Sequence, residues 1–408
     1  VSAAVLTALL FFGILTVSAS GRWAVSILDA GLFALALVWA VRLIAQPYTL
    51  RGGPLLALLA CAAAWPLVQL AAGTSVYRFE TWNAAPIWAA HLAVFFLALQ
   101  LFGDGALRRR FLRTLLWFGT AIAAISLVQL FTSGGRIFWL FPSPYKDLVL
   151  GPFVYRNNYA AFIELVVPLA LLEPLERPRA ALGWYAAAAL MAASVVAGGS
   201  RAGTVLVLLE MAAILALDLR RVAPGAVLKV AAATAILAAI AGPGYLLSRF
   251  QETDPLAVRR ELVESSLAMV RDRPLLGFGL GAWPTAYPAY ALFDLGMHAN
   301  HAHCDWAEWA AEGGLPFAAL AAALACGAFV LSTRRRWGLG VAAVFLHALV
   351  DYPFQKPALA ALAFALLGAL AADARRRYPL MTPMGRSRAT LRARPASDTT
   401  SITASTSL

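Results

Sequence analysis

Apolar runs of roughly 18 or more residues recur along most of the chain, and no other feature constrains its fold as strongly. A backbone immersed in lipid must satisfy its own polar groups, which leaves helices or closed barrels. Barrel strands alternate at period two. These runs are solidly apolar and rich in Ala and Leu, so an all-α fold is expected. Only 13% of the residues are charged, against about 25% in a soluble domain. The runs fall near 3–20, 23–45, 54–73, 84–103, 112–132, 157–173, 182–199, 203–218, 228–246, 307–332, 337–350 and 357–373. The chain therefore reads as a polytopic membrane protein with about twelve transmembrane helices within residues 1–378. Residues 379–408, rich in Ser, Thr, Arg and Pro, read as a disordered cytoplasmic tail.

The net charge is +12. In a soluble chain this would point to nucleic acid. Here the excess sits in short clusters between apolar runs: Arg51, Arg108–Arg110 with Arg113, Arg177 and Arg179, Arg220 and Arg221 with Lys229, Arg334–Arg336, and Arg375–Arg377. That is the positive-inside pattern, so these loops and both termini are expected in the cytoplasm, and no nucleic-acid partner is expected. The opposite side then holds 74–83, 133–156, 199–202, 247–306 and 351–356. Segment 247–306 is a large periplasmic loop on this reading, and loops of that length are usually functional. Within it, residues 256–272 place Leu256, Leu262, Met269 and Val270 near one face, as in a short interfacial helix. The Trp and Tyr residues of 274–290 are expected to anchor at headgroup level or to stack on sugar rings.

Chemistry-bearing residues gather on this outer side. His298, His301, His303, Cys304 and Asp305 precede a span. Their spacing matches no zinc pattern, so no metal is expected. A neutral imidazole at His303 suits general-base work near pH 7. Arg156 opens a span with Asn157 and Asn158; a guanidinium there can clamp phosphate, and Asn158 can cap or hydrogen-bond. Arg201, in a Gly-Gly-Ser-Arg-Ala-Gly turn, sits at a membrane boundary where an unpaired charge is costly. Arg249, Arg259, Arg260, Arg271 and Arg273 run against the positive-inside trend. Glu308 and Glu312 share a helix face and are candidates to orient His303 or to pair with an arginine. His347 and Asp351, four apart, lie near the outer end of another span. Two of the three cysteines, Cys61 and Cys326, lie in apolar runs, which argues against a disulfide framework. No Walker loop or dinucleotide fingerprint is present, so no cofactor is expected.

Four stretches carry a family resemblance. AHCDWAEWAAEGGLP (302–316) resembles the His-containing signature of the bacterial O-antigen ligase and O-antigen polymerase superfamily. The SRAG turn (200–203), YRNNYAAFIELVVPLAL (155–171) and AMVRDRPLLGFGLGAW (268–283) are similar to its other motifs, in the same order. The resemblance implies a metal-independent, membrane-embedded, GT-C-type transferase. Such an enzyme moves a glycan, with inversion, from an undecaprenyl-pyrophosphate carrier to an acceptor at the periplasmic face of the bacterial inner membrane. The acceptor would be lipid A core, a glycan or a protein. His303 then matches the functional histidine, with His301 as a neighbouring substrate-binding residue. Arg201 matches the Ser-Arg motif, and Arg156 with one of Arg249, Arg259 or Arg260 matches the pyrophosphate-facing arginines. Cys304 departs from the pattern, since Asn is usual after the histidine. A transporter or flippase-like protein for an anionic or lipid-linked substrate is the alternative, and a non-catalytic envelope scaffold is a third.

Overall fold

The computed structural model describes residues 1–18, 22–45, 48–143, 149–176, 181–217, 224–242, 244–250, 257–294, 296 and 298–374. The expected tail at 379–408 lies outside them. The described residues form helices α1 (Ser2–Leu15), α2 (Trp23–Ala45), α3 (Pro54–Ala72), α4 (Arg78–Leu101), α5 (Gly105–Thr132), α6 (Arg156–Glu176), α7 (Ala181–Ala197), α8 (Arg201–Leu217), α9 (Pro224–Ala241), α10 (Gly244–Phe250), α11 (Ala257–Asp272), α12 (Trp283–Ala286), α13 (Asp305–Arg334), α14 (Leu339–His347) and α15 (Pro357–Ala374). A two-stranded hairpin, β1 (Arg136–Ile137) with β2 (Phe141–Pro142), sits between α5 and α6.

Each of the twelve apolar segments overlaps a helix, with 228–246 running from α9 into α10. Six of these, α2, α3, α4, α5, α13 and α15, are long and apolar enough to cross a membrane by length and composition. The others are shorter or more polar. Helix α14 has nine residues, about 13 Å of rise against a hydrocarbon core of about 30 Å. Helices α6 and α8 carry the buried acids Glu164 and Glu210.

Helix α15 is apolar on every side, as a fully enclosed helix must be, and is buried along nearly its whole length. It packs on α4, which also holds α3; α6 packs on α7, α8 and α14. Small residues permit these close approaches, since lipid supplies no hydrophobic drive for one helix to leave it for another. A Cβ on Gly340 of α14 would lie 2.1 Å from the Glu164 carbonyl oxygen. That closeness lets His347 Nδ1 meet Glu164 Oε1 at 2.7 Å, with both side chains fully enclosed.

Among the described residues, the basic stretches around Arg51, Arg108 and Arg335 lie at one end of the bundle. Arg108 and Arg335 both pair with Asp373, at 2.7 and 3.1 Å, and Arg51 exchanges backbone hydrogen bonds with the Gln100 amide. The loop that bears His301 and His303 leads into Asp305, at the opposite end of the 30-residue α13 from Arg334.

Helix α13 bends where its sequence requires it. Pro316 has no N–H to give the Glu312 carbonyl, and Gly314 takes φ 75°. The freed carbonyls find other donors, as intramembrane breaks demand. Gln69 Nε2 and the Gly279 N–H donate to Glu312 O, and Trp65 Nε1 donates to Gly313 O. The 274–281 loop is thereby strapped to the bend; Phe278 N–H also donates to Ala311 O.

Helix α11 forms as its sequence suggests. Its expected apolar face packs inward, with Leu262, Met269 and Val270 clustering against Trp283, Tyr287 and Ala311. Leu256 lies outside the described residues. Trp283 and Tyr287 stack on each other at 4.5 Å and are buried, so they neither anchor at headgroups nor reach a sugar. Their polar atoms are consumed inside: Trp283 Nε1 donates to Ser266 Oγ and Tyr287 OH to Glu261 Oε2.

Candidate functional site

The polar centre is built where several helices begin. Ser200 precedes α8 and caps it, its Oγ accepting from Gly203 N–H at 3.2 Å. The same hydroxyl donates to Asn157 Oδ1 at 2.7 Å, in the first turn of α6. Asn157 Nδ2 donates in turn to Asp351 Oδ2 and to Tyr155 OH. The Asp351 carbonyl accepts from Asp305 N–H, the first residue of α13. Asp305 Oδ2 accepts from Phe354 N–H in the turn that leads into α15. One hydrogen-bonded network thus ties together the N-termini of α6, α8, α13 and α15. Each N-terminus carries roughly half a positive charge from its aligned peptides.

Asp351 is the hub and is almost wholly buried. Its Oδ2 accepts from Tyr155 OH at 3.1 Å and from Arg259 Nη2 at 3.2 Å. Arg259 also approaches Tyr155 OH at 3.4 Å. His303 Nδ1 lies 3.5 Å from the same phenol oxygen. Burial chiefly lowers the His303 pKa, opposed by Asp351, so the ring is held neutral. Burial likewise raises the Tyr155 phenol above its usual range. His303 takes φ 53°, the left-handed region that non-glycine residues rarely occupy, and such strain concentrates at functional sites.

Tyr352 forms the second wall. His301 stacks on its ring at 4.5 Å and His303 meets it edge-on at 4.7 Å. Lys356 Nζ lies 5.2 Å from its centroid. His301 is separately held: Nδ1 meets Glu308 Oε1 at 2.9 Å, and Glu308 Oε2 accepts from Ala302 N–H. Glu308 therefore orients His301 rather than His303, and Glu312 accepts from Trp283 N–H instead of pairing with an arginine. Asp351, acting across Tyr155, is the carboxylate nearest to His303's chemistry.

Of the other expected residues, Arg156 and Arg201 are the first residues of α6 and α8 and are half-buried. Arg260 is exposed beside Arg259. The Arg249 side chain lies outside the described residues. Asn158 is buried with Oδ1 unpartnered among the described residues, and its neighbour Asn157 makes the bridging contacts instead. His298 is exposed. Cys304 immediately precedes α13 and is buried, which pushes its thiol pKa up and keeps it from serving as a thiolate. No group of three or more His, Cys, Asp and Glu side chains is placed to hold a metal among the described residues.

Tyr155, Tyr352 and Lys356 escaped the sequence reading. The signal for the last two was the dense polar-aromatic string Asp351–Lys356 between two apolar runs. Tyr155 was visible only as the residue before Arg156.

Residues 186–322 match the family model described as O-antigen ligase, consistent with the O-antigen ligase superfamily. The matched region runs from α7 through α8, α11 and the His301–His303 loop into α13, and stops short of Asp351. The match supports a glycan-transfer role for this membrane protein. No curated protein matches the chain.

Proposed function

We propose that the protein transfers a glycan from an undecaprenyl-pyrophosphate carrier to an acceptor hydroxyl, with His303 as general base. The transfer takes place at the periplasmic face of the bacterial inner membrane. The observation that carries this reading is the joining of four helix N-termini, two of them opened by Arg156 and Arg201, around the string Asp351–Tyr155–His303, with Arg259 on Asp351 and Lys356 over Tyr352. An anion is favoured at such a place, and a neutral base stands beside it.

The chemistry follows from the hydrogen bonds. Tyr155 donates its proton to Asp351, so its oxygen accepts from His303 Nδ1–H. That tautomer leaves the lone pair on Nε2, which has no hydrogen-bond partner among the described residues. Nε2 takes the proton of the acceptor hydroxyl as that oxygen bonds to the anomeric carbon. The bond from this carbon to the pyrophosphate oxygen breaks, and the carrier pyrophosphate leaves with the electron pair. Attack from the face opposite the leaving group inverts the anomeric centre. Arginine guanidinium groups and helix N-termini stabilise charge growing on the leaving group. The donor is already activated, so no nucleotide is needed. Arg259, now paired with Asp351, exchanges part of that contact for the pyrophosphate.

The transporter reading draws on a different observation. Glu164 and His347 are fully enclosed within the helices and bonded to each other, as in proton-coupled carriers. Proteoliposomes loaded with a lipid-pyrophosphate-linked glycan separate the two. Release of carrier pyrophosphate with glycosylated acceptor is expected; movement of the intact donor across the bilayer without bond cleavage would support transport instead.

A further inference from the structure

We infer that a cavity between α4, α13 and α15, across the first turns of α13 from His303, is a subsite for one neutral sugar residue of the glycan. This rests on the glycan-transfer reading above. The cavity has a volume of about 120 Å³. It begins near Glu80, at the end of the bundle where α4 and α15 start, and reaches His91 three turns further along α4. Water alone occupies about 30 Å³ per molecule, so the space exceeds what a single bridging water needs.

Its lining has an unmet demand. His91 is 3% exposed, and neither ring nitrogen has a hydrogen-bond partner among the described residues. The Pro357 backbone lies close to the ring without reaching hydrogen-bond geometry. Asn83 Nδ2 is likewise buried and unpartnered among the described residues. Unpaired polar atoms in such surroundings cost about 1–3 kcal/mol each. An imidazole needs one donor and one acceptor, and an amide N–H needs an acceptor. Adjacent sugar hydroxyls supply both. Trp88, Trp309 and Phe354 add aromatic surface for the apolar C–H face of a pyranose.

Charge separates this subsite from the anion site. No Lys or Arg among the described residues lines the cavity, and the Glu80 carboxylate in its wall repels a phosphate. The two sites nonetheless share a wall. In the 351–355 turn, Asp351 and Tyr352 face His303, while Phe354 and Gln355 face the cavity. A glycan with its pyrophosphate among the arginines can lay a neutral sugar here.

The test uses full-length protein in nanodiscs with the methyl glycosides of glucose, N-acetylglucosamine and rhamnose, read by saturation-transfer NMR and tryptophan fluorescence. At least one glycoside should bind saturably. His91→Phe, and Ile87→Trp at the lining, should each weaken it about tenfold, the loss of one buried polar contact or its equivalent in space. Leu140→Ala in the exposed hairpin should leave it unchanged. Absence of saturable binding by all three glycosides, or binding that survives both cavity variants, would overturn the subsite. The two readings fail separately. Glycoside binding with no transfer activity sinks the transferase and leaves the subsite. His303-dependent transfer without glycoside binding sinks the subsite alone.

Discussion

Tyr155 donates its phenol proton to Asp351 across 3.1 Å, and the same oxygen lies 3.5 Å from His303 Nδ1. In the proposed mechanism, a buried carboxylate sets the tautomer of a histidine it does not touch. Tyr155→Phe keeps the ring contact with Tyr352 and removes only the hydroxyl. Transfer should fall by about 100-fold, in the lower part of the range for a disrupted acid–base group, and mostly in kcat. Steady-state kinetics with a lipid-pyrophosphate-linked glycan check this. A change confined to KM would place Tyr155 in binding instead.

The pH profile carries a signed expectation. Burial holds the His303 pKa below its ordinary 6.5, so kcat/KM should rise with pH on an acid limb below 6.5 and then level off. Asp351 raises that pKa and Arg259 lowers it. Asp351→Asn should therefore move the residual acid limb to lower pH, and Arg259→Ala should move it to higher pH. Stability follows the same group. The unfolded chain binds this proton more readily than the folded one. The contribution is complete above pH 6.5 and is lost as pH falls through the folded value.

Gly314→Ala tests the bend that holds the 274–281 loop. A Cβ there would lie 2.4 Å from the Leu275 carbonyl oxygen, on a residue at φ 75°. Destabilisation of about 1–3 kcal/mol is expected from the strained backbone, together with displacement of the loop. Thermal unfolding in detergent and limited proteolysis of the loop report the two effects. An unchanged midpoint would contradict the described bend.

The helices were legible because lipid leaves apolar runs few alternatives; each of the twelve segments overlaps a helix, though 228–246 is divided between α9 and α10. Which helices cross was less legible. Helices α6, α8 and α14 hold Glu164, Glu210 and His347, and the polar groups that make them interesting also weaken their membrane signature. His303 and Arg259 could be singled out from sequence because polar residues stand out at a membrane boundary. Asp351, the partner of Arg259, was noted only with His347, since the 3.6-residue period links neighbours on one helix and is silent about α11 meeting the turn after α14. The aromatics of 274–290 misled for a related reason: composition gives a preference for the interface, while tertiary packing buried Trp283 and Tyr287 against α11 and α13.

The most direct test of His303 as the base is single-turnover transfer in proteoliposomes by wild type and His303→Ala, using an undecaprenyl-pyrophosphate-linked glycan and its acceptor, with protein level and insertion matched. Wild type should release carrier pyrophosphate and form glycosylated acceptor, while His303→Ala should lose about 100-fold or more in rate and still bind the donor. Full transfer by His303→Ala would contradict the account.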